Sequence, residues 1–268
     1  PEEIILAAGL NPTRLSGEKE AIKLADAYIY HNLCPYVKGI LDLGLQNKAS
    51  HLDGIVFVRS CDGMRRLYDL WKPYVGTRFV HMIEMPKNRD EGAIRYFGTQ
   101  LGRFIRSLEE EFGVKISNDS LNGAIRTTNQ NRRLMQQIYE LQKMDPLPVR
   151  ASELFELSVD GMTIGKDAFH AKLKQCHDRA KGLASEHRGR GRRRILVTGS
   201  VIDQVELFKL IEGTGAGVPA IDVCTGIRYF DTLIDEDTID PVDALARRYM
   251  NKRLCARMTG LEQRFQQV

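Results

Sequence analysis

The pattern of apolar and polar positions alternates between short apolar runs and longer stretches with helical spacing. Residues 54–58 (Gly-Ile-Val-Phe-Val) and 78–85 are short apolar runs that predict buried strands. Between them lies an apolar stripe with helical spacing: Met64, Leu67, Leu70 and Trp71. Strand, helix and strand in this order predict two parallel strands joined by a right-handed crossover.

The next stretch predicts a long amphipathic helix, whose apolar stripe is Ile94, Phe97, Leu101, Phe104, Ile105, Leu108 and Phe112. Further helices are predicted over about 119–143 and 166–186, and the segment 145–148, with two prolines, separates them. A second unit follows, with strands at 195–200 and 219–224 and a helix at 205–211 between them. Helices at about 242–252 and near Leu261 end the chain.

These elements predict an α/β protein with two flavodoxin-like (Rossmann-like) lobes, each with a parallel sheet, bridged by a helical segment. We place the first lobe at 1–116, the bridge at 117–190 and the second lobe at 191–268. Two strands do not make a full sheet. The second sheet is therefore small, or this chain lacks its C-terminal end.

The composition is that of an ordinary globular protein: 268 residues, 43% hydrophobic, 28% charged, with a formal net charge of +4. It excludes collagen-like, low-complexity and wholly disordered classes. No apolar run approaches the roughly 18 residues that span a bilayer, and residues 1–9 lack the features of a secretion signal. We therefore expect a cytoplasmic protein that does not enter membranes. The first residue is not Met, which leaves open that the natural N-terminus has been removed.

One local feature departs from this average: five arginines fall within residues 188–194. Such a run could hold a phosphate-rich partner. No aromatic residues are interleaved as a stacking platform for bases. We therefore favour a solvated loop over a nucleic-acid site, and a phosphate-bearing small molecule stays open.

The five cysteines, at positions 34, 61, 176, 224 and 255, include no closely spaced pair, which fits neither a disulfide framework nor a zinc ribbon. Cys61 and Cys224 follow predicted strands, where ligands bind in open α/β sheets. Cys34 precedes Pro35, so it is predicted to be a helix N-cap. The helix dipole favours a thiolate there, the form that binds metals and iron–sulfur clusters. We expect the sulfurs of Cys34 and Cys61 to lie close together; the alternative is that each is a buried structural thiol.

The sequence carries none of the familiar phosphate-binding, zinc-protease or serine-hydrolase motifs, such as GxxxxGK[ST], HExxH or GxSxG. We therefore expect that the chain itself does not bind a nucleoside triphosphate.

Four segments, whose order along the chain is more specific than any one of them alone, are residues 1–9, His31–Lys38, Ser60–Tyr68 and Asp222–Phe230. Together they resemble the 2-hydroxyacyl-CoA dehydratase and benzoyl-CoA reductase family, in its cluster-bearing component. The resemblance covers nearly the whole chain and includes residues 196–200 and 254–258.

The resemblance implies a four-iron four-sulfur cluster held by three cysteines, and two of these match Cys34 and Cys61. The family's third ligand lies in a Phe-Cys-Asp segment that would follow Val268, so either Cys224 substitutes or the chain lacks that segment. Glu3 matches a family carboxylate near the open iron and could relay the proton of a departing hydroxyl. The other interpretation of Glu3 is a carboxylate stabilised by the start of a helix.

The resemblance also implies an acyl-CoA substrate, a homologous second subunit and a separate ATP-dependent activator that supplies a low-potential electron. The expected activity is a reductive elimination of water from a 2-hydroxyacyl-CoA through a ketyl radical. Two alternatives stay open: a reductase of the benzoyl-CoA type or of another small substrate, and a non-catalytic partner subunit without a cluster.

Overall fold

The structure is a computed structural model that describes residues 1–17, 21–186 and 193–252. The chain forms two compact units. The inserted unit is Leu15–Ile116, and the discontinuous unit combines Pro1–Arg14 with Ser117–Val268. The expected helix near Leu261 lies outside the described residues.

The helices of the described residues are, in chain order, α1 (Glu2–Ala7), α2 (Pro35–Leu45), α3 (Asp62–Tyr74), α4 (Glu91–Phe112), α5 (Asn118–Leu141), α6 (Ala151–Thr163), α7 (Lys166–Glu186), α8 (Glu206–Gly213) and α9 (Pro241–Met250). The strands are β1 (Gly54–Val58), β2 (Phe79–Ile83), β3 (Arg194–Thr198) and β4 (Gly217–Asp222). Two short 3₁₀ turns, Ala25–Ala27 and Ile227–Tyr229, complete the set.

Each unit contains a small parallel sheet, which confirms the predicted α/β class. In the inserted unit β1 pairs with β2 from Gly54 opposite Phe79 to Val58 opposite Ile83. In the discontinuous unit β3 pairs with β4. The predicted crossover from β1 through α3 to β2 is present, and a parallel pair requires such a connection.

The core of the inserted unit forms where α2 and α3 cover β1. Phe57 is buried between half-buried neighbours along β1 and packs edge-on against Trp71, with ring centroids 5.8 Å apart. Trp71 is fully buried, and its indole N–H donates to Thr77 Oγ1 over 2.7 Å. The apolar stripe predicted for α3 therefore faces the sheet, as the pattern required.

Most of the predicted stripe of α4 is also buried, with Ile105 and Phe112 half-buried. A capping residue defines each end of this helix. Asp90 caps the start by accepting a hydrogen bond from the Ala93 N–H over 2.8 Å. Gly113 ends the helix in the left-handed conformation, with φ of 65°, which glycine adopts without a steric penalty.

The core of the discontinuous unit is built from helices and sheet together. Four buried phenylalanines, one each from α6, α7, α8 and the Ile227–Tyr229 region, pack with apolar residues of α5 and β4: Phe155, Phe169, Phe208 and Phe230. The segment 117–190, which we expected to bridge two lobes, thus contributes α5, α6 and α7 to the same core as β4. The short helix α1 packs on α5 within this unit.

The turn after β4 is held by a buried ion pair. Arg228 donates to both carboxylate oxygens of Asp222 over 2.7 and 2.6 Å, and to the carbonyl of Gly199 over 2.8 Å. Gly226 lies inside this turn, where an added Cβ would sit 2.4 Å from the Ile221 carbonyl oxygen. The segment 222–230 therefore has a structural reason for its sequence, independent of any ligand.

We expect Gly226→Ala to destabilise the protein by about 2 kcal/mol or more, because the backbone must move to accept a methyl group. Gly182→Ala is the matched control, since an added Cβ there meets nothing within 4 Å and α7 gains helix propensity. Denaturant unfolding followed by circular dichroism measures both. A Gly226→Ala protein as stable as the Gly182→Ala protein would contradict the expectation.

Candidate functional site

The candidate site begins at the carboxyl end of β1. The chain leaves β1 at Val58 and reaches Cys61, which is the N-cap of α3. Cys34 is the N-cap of α2, as predicted. Neither side chain makes a capping hydrogen bond, so both thiols stand at helix N-termini without that competing contact.

The first turns of the two helices pack directly on each other at Gly63. An added Cβ on Gly63 would lie 3.3 Å from Val37 Cγ2, 3.7 Å from Cys61 Sγ and 3.8 Å from Leu33 Cδ2. Leu33 and Val37 flank the start of α2, so this contact brings the Cys34 end of that helix to the Cys61 end of α3. The prediction that the two sulfurs lie close together is consistent with this packing and stays a prediction.

Exposure distinguishes these two thiols from the buried one on α7. Cys34 is exposed and Cys61 is half-buried, whereas Cys176 is buried. Burial raises the pKa of the Cys176 thiol to about 11, with a further contribution from Glu153. Cys176 is therefore an inert structural thiol, and Cys34 and Cys61 are available for a ligand.

Glu3 lies in the discontinuous unit, in the first turn of α1, where it is fully buried. Its Oε1 accepts from Arg132 Nη2 over 2.5 Å, and its Oε2 accepts from the Tyr249 hydroxyl over 2.9 Å. Glu2 is linked to the same group, because Lys166 Nζ lies 2.5 Å from its Oε2. A buried ionic network therefore anchors α1 to α5, α7 and α9.

The electrostatics of this network keep Glu3 ionised. Burial alone would raise the pKa of Glu3, but the Arg132 guanidinium, with Arg248, outweighs it and lowers that pKa to about 2. The same pairing raises the pKa of Arg132 against its own burial. Burial also raises the pKa of Tyr249, so its hydroxyl stays a hydrogen-bond donor to Glu3.

The sequence did not identify the partners of Glu3. Arg132 sits on α5 beside other buried polar residues, and its Nη1 donates to Thr128 Oγ1 and Asn129 Oδ1 over 3.1 and 3.2 Å. A polar stripe inside a helix whose other face is apolar is the signal that could have found it. Tyr249 gives no comparable signal, because a tyrosine on an amphipathic helix is ordinary.

Cys224, the alternative third ligand, lies in the discontinuous unit after β4, and its thiol is half-buried. Its backbone N–H donates to the Ser200 carbonyl over 3.0 Å. Within the described ranges, no three His, Cys, Asp or Glu side chains gather as a metal site. The inserted unit thus places two candidate thiols at the starts of two packed helices, and the identity of a third ligand stays a prediction.

The arginine run is only partly described, since residues 188–192 lie outside the described ranges. Arg194 has a structural role, because it donates to the carbonyls of Met144 and Gln142 over 2.7 Å each and so caps the end of α5.

The family follows from comparison with known proteins. Residues 1–268 match the family model described as 2-hydroxyglutaryl-CoA dehydratase, D-component. The chain belongs to this family. No helix within the described part of this family member is long and apolar enough to cross a membrane.

Curated relatives agree at modest identity. The chain is 27% identical to a benzoyl-CoA reductase subunit of Thauera aromatica over 95% of its own length and 66% of that protein. It is 24% identical to the (R)-phenyllactyl-CoA dehydratase beta subunit of Clostridium sporogenes, over 94% and 67%. It is also 24% identical to the beta subunit of (R)-2-hydroxyglutaryl-CoA dehydratase of Acidaminococcus fermentans, over 94% and 67%. The chain thus spans about two thirds of the length of these relatives.

The buried pair predicts how stability depends on pH. Because the pKa of Glu3 is lower in the folded protein than its ordinary value of 4.5, its contribution is present above that value and is lost as pH falls towards about 2. We expect Glu3→Gln to lose about 3 kcal/mol at pH 7, since Arg132 is left without this partner. The difference between the two proteins should shrink from about pH 5 downwards.

Denaturant unfolding at several pH values measures this effect. Glu153→Gln is the control, since Glu153 pairs with Arg179 at the surface of the same unit and should cost less than about 0.5 kcal/mol. A Glu3→Gln loss that does not diminish on acidification would show that the ion pair is not its cause.

Proposed function

We propose that this chain is the iron–sulfur component of a 2-hydroxyacyl-CoA dehydratase, an enzyme that eliminates water from an acyl-CoA by a reductive radical route. One observation carries the proposal: in a member of this family, Cys34 and Cys61 are both N-caps of helices whose first turns pack together at Gly63. Two cysteines 27 positions apart would not reach adjoining helix ends unless the fold brought them there.

The donor set fits an iron–sulfur cluster in part. Thiolates are the ligands that such clusters use, and the positive ends of two helix dipoles favour the negative charge of a cluster. The described residues supply two thiols, Cys34 and Cys61. A third ligand comes from Cys224 or from a Phe-Cys-Asp segment that would follow Val268, and we propose three cysteine ligands on the strength of the family resemblance.

When bound, the cluster supplies single electrons at low potential to the substrate. The residues of the chain then have separate tasks. Cys34 and Cys61 hold the cluster, and Glu3 is the proposed relay for the proton of the departing hydroxyl. Arg132 and Tyr249 hold the Glu3 carboxylate in one orientation. Because Arg132 lowers the pKa of Glu3, this carboxylate is ionised and accepts a proton only when its contact with Arg132 weakens.

The proposed partners follow the relatives, whose names describe them as subunits of dehydratases and of a reductase. We propose a homologous second subunit, an acyl-CoA substrate and a separate activator that hydrolyses ATP. The absence of a phosphate-binding loop in the sequence supports assigning ATP to another protein. A cytoplasmic location is part of the same proposal.

A second function, a reductase of the benzoyl-CoA type, is favoured by the similarity to the Thauera aromatica protein. The two functions differ in their use of electrons. A dehydratase returns its electron and needs catalytic amounts, whereas a reductase consumes electrons with every turnover. Counting electrons consumed per product, with the assembled enzyme and its activator, separates them.

Iron content tests the cluster itself. We expect the protein purified without oxygen to contain iron and sulfide, and Cys34→Ser and Cys61→Ser to lose most of both. Serine is nearly isosteric but its hydroxyl stays protonated and binds iron poorly. Helix content by circular dichroism should change little in either variant.

Cys176→Ser is the matched control, because this buried thiol should affect stability without affecting iron. Equal iron in all three variants would refute the assignment of Cys34 and Cys61. Absence of iron from the anaerobically purified wild-type protein would favour the remaining alternative, a non-catalytic partner subunit.

A further inference from the structure

The segment that leads into Cys34 folds back along α2. Ala25 is fully buried and Ile29 nearly so, and both pack with Val37 and Leu41 of α2 in the core of the inserted unit. The chain therefore runs beside α2 before it turns at Cys34 to begin that same helix. How firmly this segment is held decides where the Cys34 thiol lies.

A single carboxylate on α2 holds the far end of the segment. Asp42 Oδ1 accepts three backbone N–H donors, those of Lys23, Leu24 and Ala25, over 3.1, 2.6 and 2.9 Å. Its Oδ2 accepts from the side-chain amide of Gln46. Burial would raise the pKa of Asp42, but these donors outweigh burial and lower it, so the group is a carboxylate at neutral pH.

A second contact lies one turn earlier on the same helix. Lys38 is buried along its stem, and its Nζ donates to Asp26 Oδ1 over 2.6 Å. Asp42 and Lys38 together grip four successive residues, 23–26. We name this pair the α2 clamp.

We infer that Asp42, assisted by Lys38, is a positioning residue for the Cys34 thiol; this inference rests on the proposed function of that thiol. The clamp fixes residues 23–26, Ile29 is packed in the core, and a Leu33 N–H to Tyr30 carbonyl bond of 3.1 Å closes the last turn before Cys34. Pro35 then restricts the backbone at Cys34 to an extended conformation, with ψ of 144°.

The clamp matters because the Cys34 side chain makes no capping hydrogen bond of its own. The position of the Cys34 side chain relative to Cys61 is therefore determined by the segment before it and by the packing at Gly63. A ligand that binds both thiols gains from this preorganisation, since binding does not have to order the segment. Loss of the clamp should therefore reduce the affinity for a ligand of both thiols by more than its effect on the stability of the fold would explain.

Cadmium ion is a suitable probe, because it binds thiolates and gives a cadmium–thiolate absorption in the ultraviolet without needing iron or activity. We expect the apo-protein to bind Cd²⁺ through Cys34 and Cys61, with binding lost in Cys34→Ser. Asp42→Ala should weaken Cd²⁺ binding about tenfold, through the ordering cost returned to the segment. Lys38→Met, which removes only one contact, should weaken it less.

Asp42→Asn provides the rescue. Its amide oxygen can still accept the three backbone N–H groups, and Gln46 can turn its own amide to accept from the new NH₂ group. This variant should bind Cd²⁺ nearly as the wild type does. If Asp42 acted only through global stability, the Cd²⁺ affinities of Asp42→Ala and Asp42→Asn would not differ in this way.

Glu109→Ala is the control within the same unit, because Glu109 accepts the Ile116 N–H over 2.8 Å on α4. It should lower the unfolding midpoint and leave Cd²⁺ binding unchanged. Wild-type affinity in a folded Asp42→Ala protein would overturn the inference, as would an equal loss in Glu109→Ala or a wild type that does not bind Cd²⁺ through both thiols. A wild type that binds Cd²⁺ in this way but takes up no iron would refute the proposed function and leave the clamp standing.

Discussion

The contact between α2 and α3 at Gly63 is the constraint on which the candidate site depends. A methyl group there would press on Val37 at 3.3 Å, so the two helices approach this closely because position 63 has no side chain. Cys61 is placed at this contact by β1 and the turn after it. Cys34 is placed there by the segment before it, which is bonded to Asp42 and Lys38 of α2. One thiol is thus placed by the sheet and the other by a loop, and the two placements meet at one glycine.

The candidate carboxylate, Glu3, and the candidate thiols, Cys34 and Cys61, differ in how many hydrogen bonds their side chains make. Glu3 is fully buried, and Arg132 and Tyr249 hold both of its oxygens. Both carboxylate oxygens are thus occupied, so Glu3 has little capacity left for a ligand. Cys34 and Cys61 lie at helix N-termini with no capping contact from their side chains. Accessible sulfur atoms without a capping contact are typical of ligand sites. For this reason the two thiols, and not Glu3, carry the proposed function.

The sequence predicted the elements whose periodicity is strong and missed what depends on tertiary partners. The stripe on α4 was found because its period is 3.6, and the strand 54–58 was found because it is a short apolar run rich in β-branched residues. Helix α6 was missed, since Arg150 gives no capping signal at its start. The clamp at Asp42 was invisible as well: its three N–H partners lie 17 to 19 residues upstream, and no local pattern links them.

The ion pair of Glu3 sets a condition on its proposed role. Because Arg132 holds the pKa of Glu3 well below its ordinary value, protonating Glu3 at pH 7 is unfavourable in the resting protein. A relay through this carboxylate therefore requires that substrate binding weaken its contact with Arg132 or bring in a strong proton donor. Arg132 would still be held by Thr128 and Asn129 if Glu3 released it, so the guanidinium need not move far. The proton-transfer capacity of Glu3 is thus set by Arg132 and its second set of partners on α5.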